Sequence, residues 1–256
     1  MSNILAIADK ELRSYFSSPT AYVIIGLFAA LFGFFYTAIL DFFVKQSMQL
    51  QQFQMGPSSV NINLQLIRPV LSNASVVALF VLPMITMRTY SEEKRSGTIE
   101  LLLTSPVTDL EIILGKFFGA LGLYSLMLLV TTPYIIILFI YGEPEFSPIL
   151  VGYLGLLLMG GSFISIGLLI SSFTKNQIVA GMITFATLLL LWVLNWLSSF
   201  GAPTTQAVVS YLSITQHFDD FAIGVLDTKH VIYYLSFITF GLFLTAKSVD
   251  SERWRG

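Results

Sequence analysis

Few side chains in this sequence combine a reactive type with a useful spacing. Its two histidines, His217 and His230, stand thirteen residues apart, which is no zinc-ligand spacing. Asp219-Asp220 could hold a magnesium ion on a polyprenyl diphosphate, but that chemistry needs two acidic clusters facing one site, and the sequence offers no second cluster. Glu92-Glu93 could serve a glutamate-type intramembrane protease, yet no histidine or asparagine partner is evident at membrane depth. Asn73, Thr131, Thr132 and Asn195 are polar groups within apolar segments, and none is paired with an acid or a base. There is no G-x-x-x-x-G-K-[ST] run to cradle phosphates and no H-E-x-x-H. With no cysteine, thiolate metal sites, thiol nucleophiles and disulfides are ruled out. The expectation is a chain that is not itself an enzyme, with no catalytic residue and no cofactor or metal of its own.

What remains is a stretch suited to contact. Arg88–Lys116 (RTYSEEKRSGTIELLLTSPVTDLEIILGK) is charged, regular and flanked by long apolar segments. A helix end at Ser96-Gly97 is followed by a short apolar helix carrying Ile99, Leu101, Leu102 and Leu103. Pro106 stops it, because the residue before proline is pushed out of the helical region. Thr108 then offers an N-cap, with Glu111 three residues on to complete a capping box.

The elements that must position this stretch are membrane spans. The chain has 256 residues, 55% hydrophobic and 11% charged, whereas soluble domains carry about 25% charge. So small a charged fraction cannot cover a water-facing surface, and the bilayer is the solvent. Spans are expected near residues 21–43, 70–87, 117–141, 149–171, 178–199 and 231–246, the last the shortest, within a single domain of residues 1–256. Pro83 and Pro133 fall inside two of them. Residues 1–18 read as an interfacial amphipathic helix, with Ile4, Leu5, Ile7, Ala8, Leu12, Tyr15 and Phe16 on one face and Asp9, Lys10, Glu11 and Arg13 opposite. Small-residue pairs, Gly115 with Gly119, Gly161 with Ser165 and Gly167 with Ser171, allow close helix approach. Apart from Asp41 and Lys247 near span ends, the spans hold almost no ionisable residue, so any driving energy arrives from elsewhere.

Ten of the thirteen Lys and Arg residues (Lys10, Arg13, Arg88, Lys94, Arg95, Lys116, Lys175, Lys247, Arg253 and Arg255) fall on the side that holds both termini. The positive-inside bias makes that side cytoplasmic. On the other side, Phe218, Phe221, Ala222, Val225 and Leu226 share one face of a short helix expected to dip into the outer leaflet or pack on the span ends.

The Arg88–Lys116 pattern resembles the cytoplasmic loop of ABC-2 type permeases, the membrane subunits of type V ABC transporters. Within them the likeness is to the gliding-motility-associated and nitrous-oxide-system branch, which His217–Phe221 and Gly224–Asp227 also resemble. The resemblance implies an all-α integral membrane permease with six transmembrane helices, an N-terminal connecting helix, a cytoplasmic coupling helix and an outer re-entrant segment. Gly97, Thr98, Ile99, Glu100, Leu101, Leu102, Leu103, Thr104, Ser105 and Pro106 would contact a separate ABC ATPase, present in two copies, which binds the ATP and magnesium. Phe218, Phe221 and Val225 would form the outer gate. A second permease subunit, identical or a related paralogue, would complete the translocation path among membrane lipid in the bacterial cytoplasmic (inner) membrane, with both termini cytoplasmic and no nucleic acid involved. The alternatives are a structural membrane subunit that docks an ATPase without transport, and a lipid-modifying membrane enzyme.

Overall fold

The structure, a computed structural model, describes residues 3–52, 61–98, 107–198 and 211–253. Among these, every regular element is a helix, and six helical stretches are long and apolar enough to cross a membrane. The protein is an all-α integral membrane protein.

Helix α1 (Asn3–Ser17) ends where Pro19 begins α2 (Pro19–Gln52). Ile24, Phe28, Phe32 and Tyr36 recur every four residues along α2 and form its buried stripe. This helix continues nine residues past the expected end at Phe43. A π-helical turn (Asn63–Ile67) leads into α3 (Arg68–Thr86), which contains Pro83. The short α4 (Ser91–Ser96) ends at Gly97, whose φ of 75° is the left-handed geometry that a side chain would resist.

The third span is two helices, α5 (Asp109–Val130) and α6 (Thr132–Gly142). Pro133 lacks an N–H to continue the ladder, and at the junction the Thr131 hydroxyl lies 2.6 Å from both the Leu128 carbonyl and the Tyr153 hydroxyl. Helix α7 (Phe146–Phe173) is the centre of the bundle. It packs against α3, α5, α8 (Gln177–Ser198), α9 (Ile214–Ala222) and α10 (Thr228–Arg253). Its glycines receive the neighbours' side chains: Leu71 at Gly152, Phe221 at Gly155, Tyr124 at Gly160, Ile238 at Gly161 and Thr86 at Gly167. Bilayer tails offer these helices no hydrophobic advantage over one another, so this close van der Waals fit holds the bundle together. Helix α10 runs 26 residues, so the last span is longer than residues 231–246 and is not the shortest.

Candidate functional site

The predicted capping box is present and sets the start of α5. The Thr108 hydroxyl accepts the Glu111 N–H, and the Glu111 carboxylate accepts the Thr108 N–H at 2.8 Å. Asn3 of α1 donates its amide to the same carboxylate at 3.0 Å, tying the N-terminal helix to the start of the third span.

One turn further along α5, Gly115 and Gly119 face α1. A Cβ on Gly115 would stand 2.6 Å from the Ile7 Cβ, and one on Gly119 would stand 2.7 Å from the Glu11 Cβ. The two backbones therefore meet closely, and Lys116, between those glycines, is drawn into the contact. Its side chain is 1% exposed, and its ammonium donates to Glu11 Oε1 at 3.0 Å, Glu93 Oε1 at 2.7 Å and the Thr89 carbonyl at 2.9 Å. It also lies 5.1 Å from the centre of the Tyr90 ring. Three donors on one ammonium meet three acceptors, as burial of such a cation requires. The exposed Lys10 ammonium stands 3.6 Å from Glu93.

The cluster joins α1, α4 and α5, and the sequence reading missed it. By sequence Lys116 closes the charged loop stretch, but it is buried in the second turn of α5, at the end of the span that meets α1 and α4. Glu11 was placed on the polar face of the first helix, yet it lies one turn on from Ile7 and Ala8 and is buried with Ala8 against α5. A charged residue next to a glycine pair was the available signal. Nearby, burial pushes the Tyr15 phenol well up, aided by the Glu11 charge, so it stays protonated and donates to the Ile85 carbonyl.

Helix α4 is also fixed from behind. The Ser171 hydroxyl of α7 accepts the N–H groups of Tyr90 and Ser91, each at 3.1 Å. Lys94 donates to the Ser172 carbonyl, and the Ser172 hydroxyl bonds Ser248 of α10 at 2.8 Å. Arg88 pairs with Glu92 at 3.0 Å and reaches the Thr20 hydroxyl at the start of α2. The segment that leads into the predicted contact helix thus touches α1, α2, α5, α7 and α8. Of that contact set, Gly97 and Thr98 are exposed, with open space beside Gly97. Ile99, Glu100, Leu101, Leu102, Leu103, Thr104, Ser105 and Pro106 lie outside the described residues.

At the opposite end, Phe218 and Phe221 are buried against Gly155 of α7. Val225 is not with them. Gly224, with φ of 87°, ends α9, and the Val225 N–H turns back to the Asp220 carbonyl at 2.9 Å, which leaves Val225 48% exposed and Leu226 56% exposed. The expected single face breaks because the helix stops before reaching them. His217 and His230, thirteen residues apart, are brought to 2.6 Å by the same fold-back, in a hydrogen bond between rings. Asn73 donates to the Pro69 carbonyl of its own helix, and at the α5–α6 junction the Thr132 hydroxyl donates to the Leu129 carbonyl and the Thr131 hydroxyl is bonded to Leu128.

A comparison with curated proteins finds no match. The family model described as "ABC-2 family transporter protein" matches residues 45–216. That match covers well over half of the chain, from the end of α2 to the start of α9, and with its six apolar helices the protein belongs to the ABC-2 transporter family as a multi-pass membrane permease.

Proposed function

We propose that this permease docks a separate ABC ATPase through residues 97–106, pairs with a second permease subunit so that the pair engages two ATPase copies, and carries cargo along the path between the two permeases. The observation that supports this reading most is the Glu11–Lys116–Glu93 cluster. It couples the segment entering the contact helix to the connecting helix and the third span, so force applied at 97–106 reaches the bundle through buried charge contacts. The ATPase binds the ATP and magnesium. The resemblance supports reading the chain as a member of the gliding-motility-associated or nitrous-oxide-system branch, and the positive-inside bias supports both termini on the cytoplasmic side of the bacterial inner membrane. The second permease would pack on the apolar groove between α3 and α8, lined by Phe80, Pro83, Met84, Ile178, Met182 and Phe185.

The test is docking. In the helix-in-groove mode, Leu101 and Leu102 seat in an apolar groove and Glu100 pairs at its rim. A charge in such an interface costs about 2–5 kcal/mol of association, roughly 30-fold or more in affinity. Leu102→Asp should therefore release the ATPase in co-purification and abolish stimulated hydrolysis while the permease still inserts. Retention at wild-type affinity by Leu101→Asp, Leu102→Asp and Glu100→Lys alike sinks the assignment.

A further inference from the structure

The two histidines sit in an unbroken hydrogen-bond chain at the outer end of the bundle. Tyr211 O faces His217 Nε2 at 2.9 Å, His217 Nδ1 faces His230 Nδ1 at 2.6 Å, and His230 Nε2 faces Asp220 Oδ2 at 2.6 Å. Both rings are 5% exposed. His217 lies on α9 and His230 in the first turn of α10, so the chain bridges the outer helix and the head of the last span.

A proton count decides the state of this chain. A carbonyl only accepts, so His217 Nε2 carries a hydrogen. Each of the three contacts needs one proton, and two neutral imidazoles beside an ionised carboxylate supply two. With the third proton absent, bare lone pairs face each other either across the Nδ1–Nδ1 contact or between His230 Nε2 and Asp220, depending on the His230 tautomer. With a fourth, two N–H groups collide there.

We propose that His217, His230 and Asp220 form a proton-binding site which holds one proton beyond two neutral imidazoles and a carboxylate, and that this proton latches the outer helix to the last span.

The surroundings fix where the proton resides. The Asp220 carboxylate faces His230 Nε2, so three hydrogens serve the three contacts when His230 carries one on each ring nitrogen. His217 stays neutral: burial holds its pKa below the usual histidine value, with the positive charges nearby adding to the effect. His217 stacks on Tyr233 at 3.8 Å between ring centres, and Tyr234 and Phe221 close the other sides. The other charged groups facing the site are Asp219 on α9, with Arg68 of α3 beside it, Asp227 in the connecting turn, and Lys229 on α10 paired to Asp227 at 3.0 Å. Helix α7 meets this corner with Pro148 against Gly224 and with Gly152 and Gly155 against Phe221. Tyr233 and Tyr234 donate to the Leu212 and Ile214 carbonyls, so the start of α9 stays tethered when the latch opens.

The latch is closed within a pH window. As pH rises and the shared proton leaves, one of the two contacts that bridge α9 and α10, Nδ1–Nδ1 or His230–Asp220, loses its hydrogen and opens. As pH falls and His217 gains a proton, that contact holds two hydrogens and opens again. This site stands apart from the ATPase reading and does not depend on it.

The sequence makes the test clean, because these are the chain's two histidines and it has no cysteine. Full-length permease carrying a tag without histidine, labelled with 15N-histidine and placed in lipid nanodiscs, should show one imidazolium and one neutral Nε2–H ring near neutral pH. The two Nδ1 atoms should be coupled through the hydrogen bond. Spin labels at Gln216→Cys and Ile232→Cys, both on exposed positions, should give a narrow distance distribution inside the window and a broad one on either side. Asp220→Asn should move loss of the proton down by about one to three pH units, the usual effect of an adjacent carboxylate. Two neutral rings at neutral pH, absence of Nδ1–Nδ1 coupling, or rings that titrate independently in the wild-type chain overturn the proposal.

Discussion

Removing the Lys116 ammonium is the perturbation that tests the cluster most sharply. Lys116→Met keeps most of the volume of a straight side chain and leaves Glu11 and Glu93 with no cation inside the contact. At an effective dielectric of about 20, a unit pair near 3 Å is worth about 5 kcal/mol, and Lys116 makes two such pairs, at 3.0 and 2.7 Å. The side chains of Glu11 and Glu93 are 11% and 15% exposed, so water relieves the stranded carboxylates only in part. Loss of one partner from a buried ion pair costs about 3–5 kcal/mol, and the expected loss here is of that size, roughly 100-fold or more in the unfolding equilibrium. The assay is reversible unfolding in mixed micelles, followed together with proteolytic release of the N-terminal helix. The control is Lys116→Met combined with Glu11→Gln and Glu93→Gln, which removes every charge at once and should restore stability to within about 1–2 kcal/mol of the parent. A loss below about 1 kcal/mol for Lys116→Met, or a triple variant no better than the single one, would refute the reasoning, since the cluster would then be solvated and not structural.

Gly115→Ala should displace α1, because Ile7 branches at the clashing Cβ and the Ile4 carbonyl stands 3.2 Å away; a loss of about 1–3 kcal/mol is expected, against none for Gly26→Ala, which meets nothing within 4 Å. Phe221→Asp should cost at least a few kcal/mol through burial of an unpaired charge, whereas Val225→Asp should stay within about 0.5 kcal/mol; equal stability of the two variants in the same melt contradicts the described end of α9. A reporter fused at Ser96 should read cytoplasmic and one fused after Glu145 should read external, and the reverse pattern in an accessibility assay would overturn the topology.

Much of the fold is legible in the sequence because the bilayer sets a length, about 20 apolar residues per helix, that can be read off directly. Local signals were equally plain. Thr108 and Glu111 announce the start of α5, Ser18-Pro19 separates α1 from α2, and Gly97 ends α4. What stayed hidden depends on partners remote in the chain. Lys116 meets Glu11 across 105 residues and Glu93 across 23, and no window spans both. A count of cations by membrane side cannot distinguish a solvated lysine from a buried one. The histidines were weighed as metal ligands along the sequence, where thirteen residues is a poor spacing, while the turn at Gly224 folds them into hydrogen-bond contact. That same turn takes Val225 off a face that periodicity alone assigned to it. The apolar residues Ile99 and Leu101–Leu103 were singled out by sequence as the docking element, and their assignment rests there.

The central helix α7 reverses the usual relation between burial and bulk. At its core positions it contributes vacancies, and Leu71, Thr86, Tyr124, Phe221 and Ile238 from α3, α5, α9 and α10 fill them. A substitution scan of this permease would therefore find α7 intolerant of gain in size, while the helices around it are intolerant of loss. Random enlargement along Gly152–Gly167 would push apart several neighbours at once, whereas enlargement on the exposed face of α10, at Ile232, Leu235 or Phe243, meets none of these lodged side chains. For motion the same geometry acts as a keyway: α7 cannot slide past α3 or α5 by a fraction of a turn without unseating every side chain lodged in it. Displacement entering where α4 meets Ser171 and Ser172 would thereby be carried along α7 to Gly155 and α9 as a body, with little lost to bending on the way.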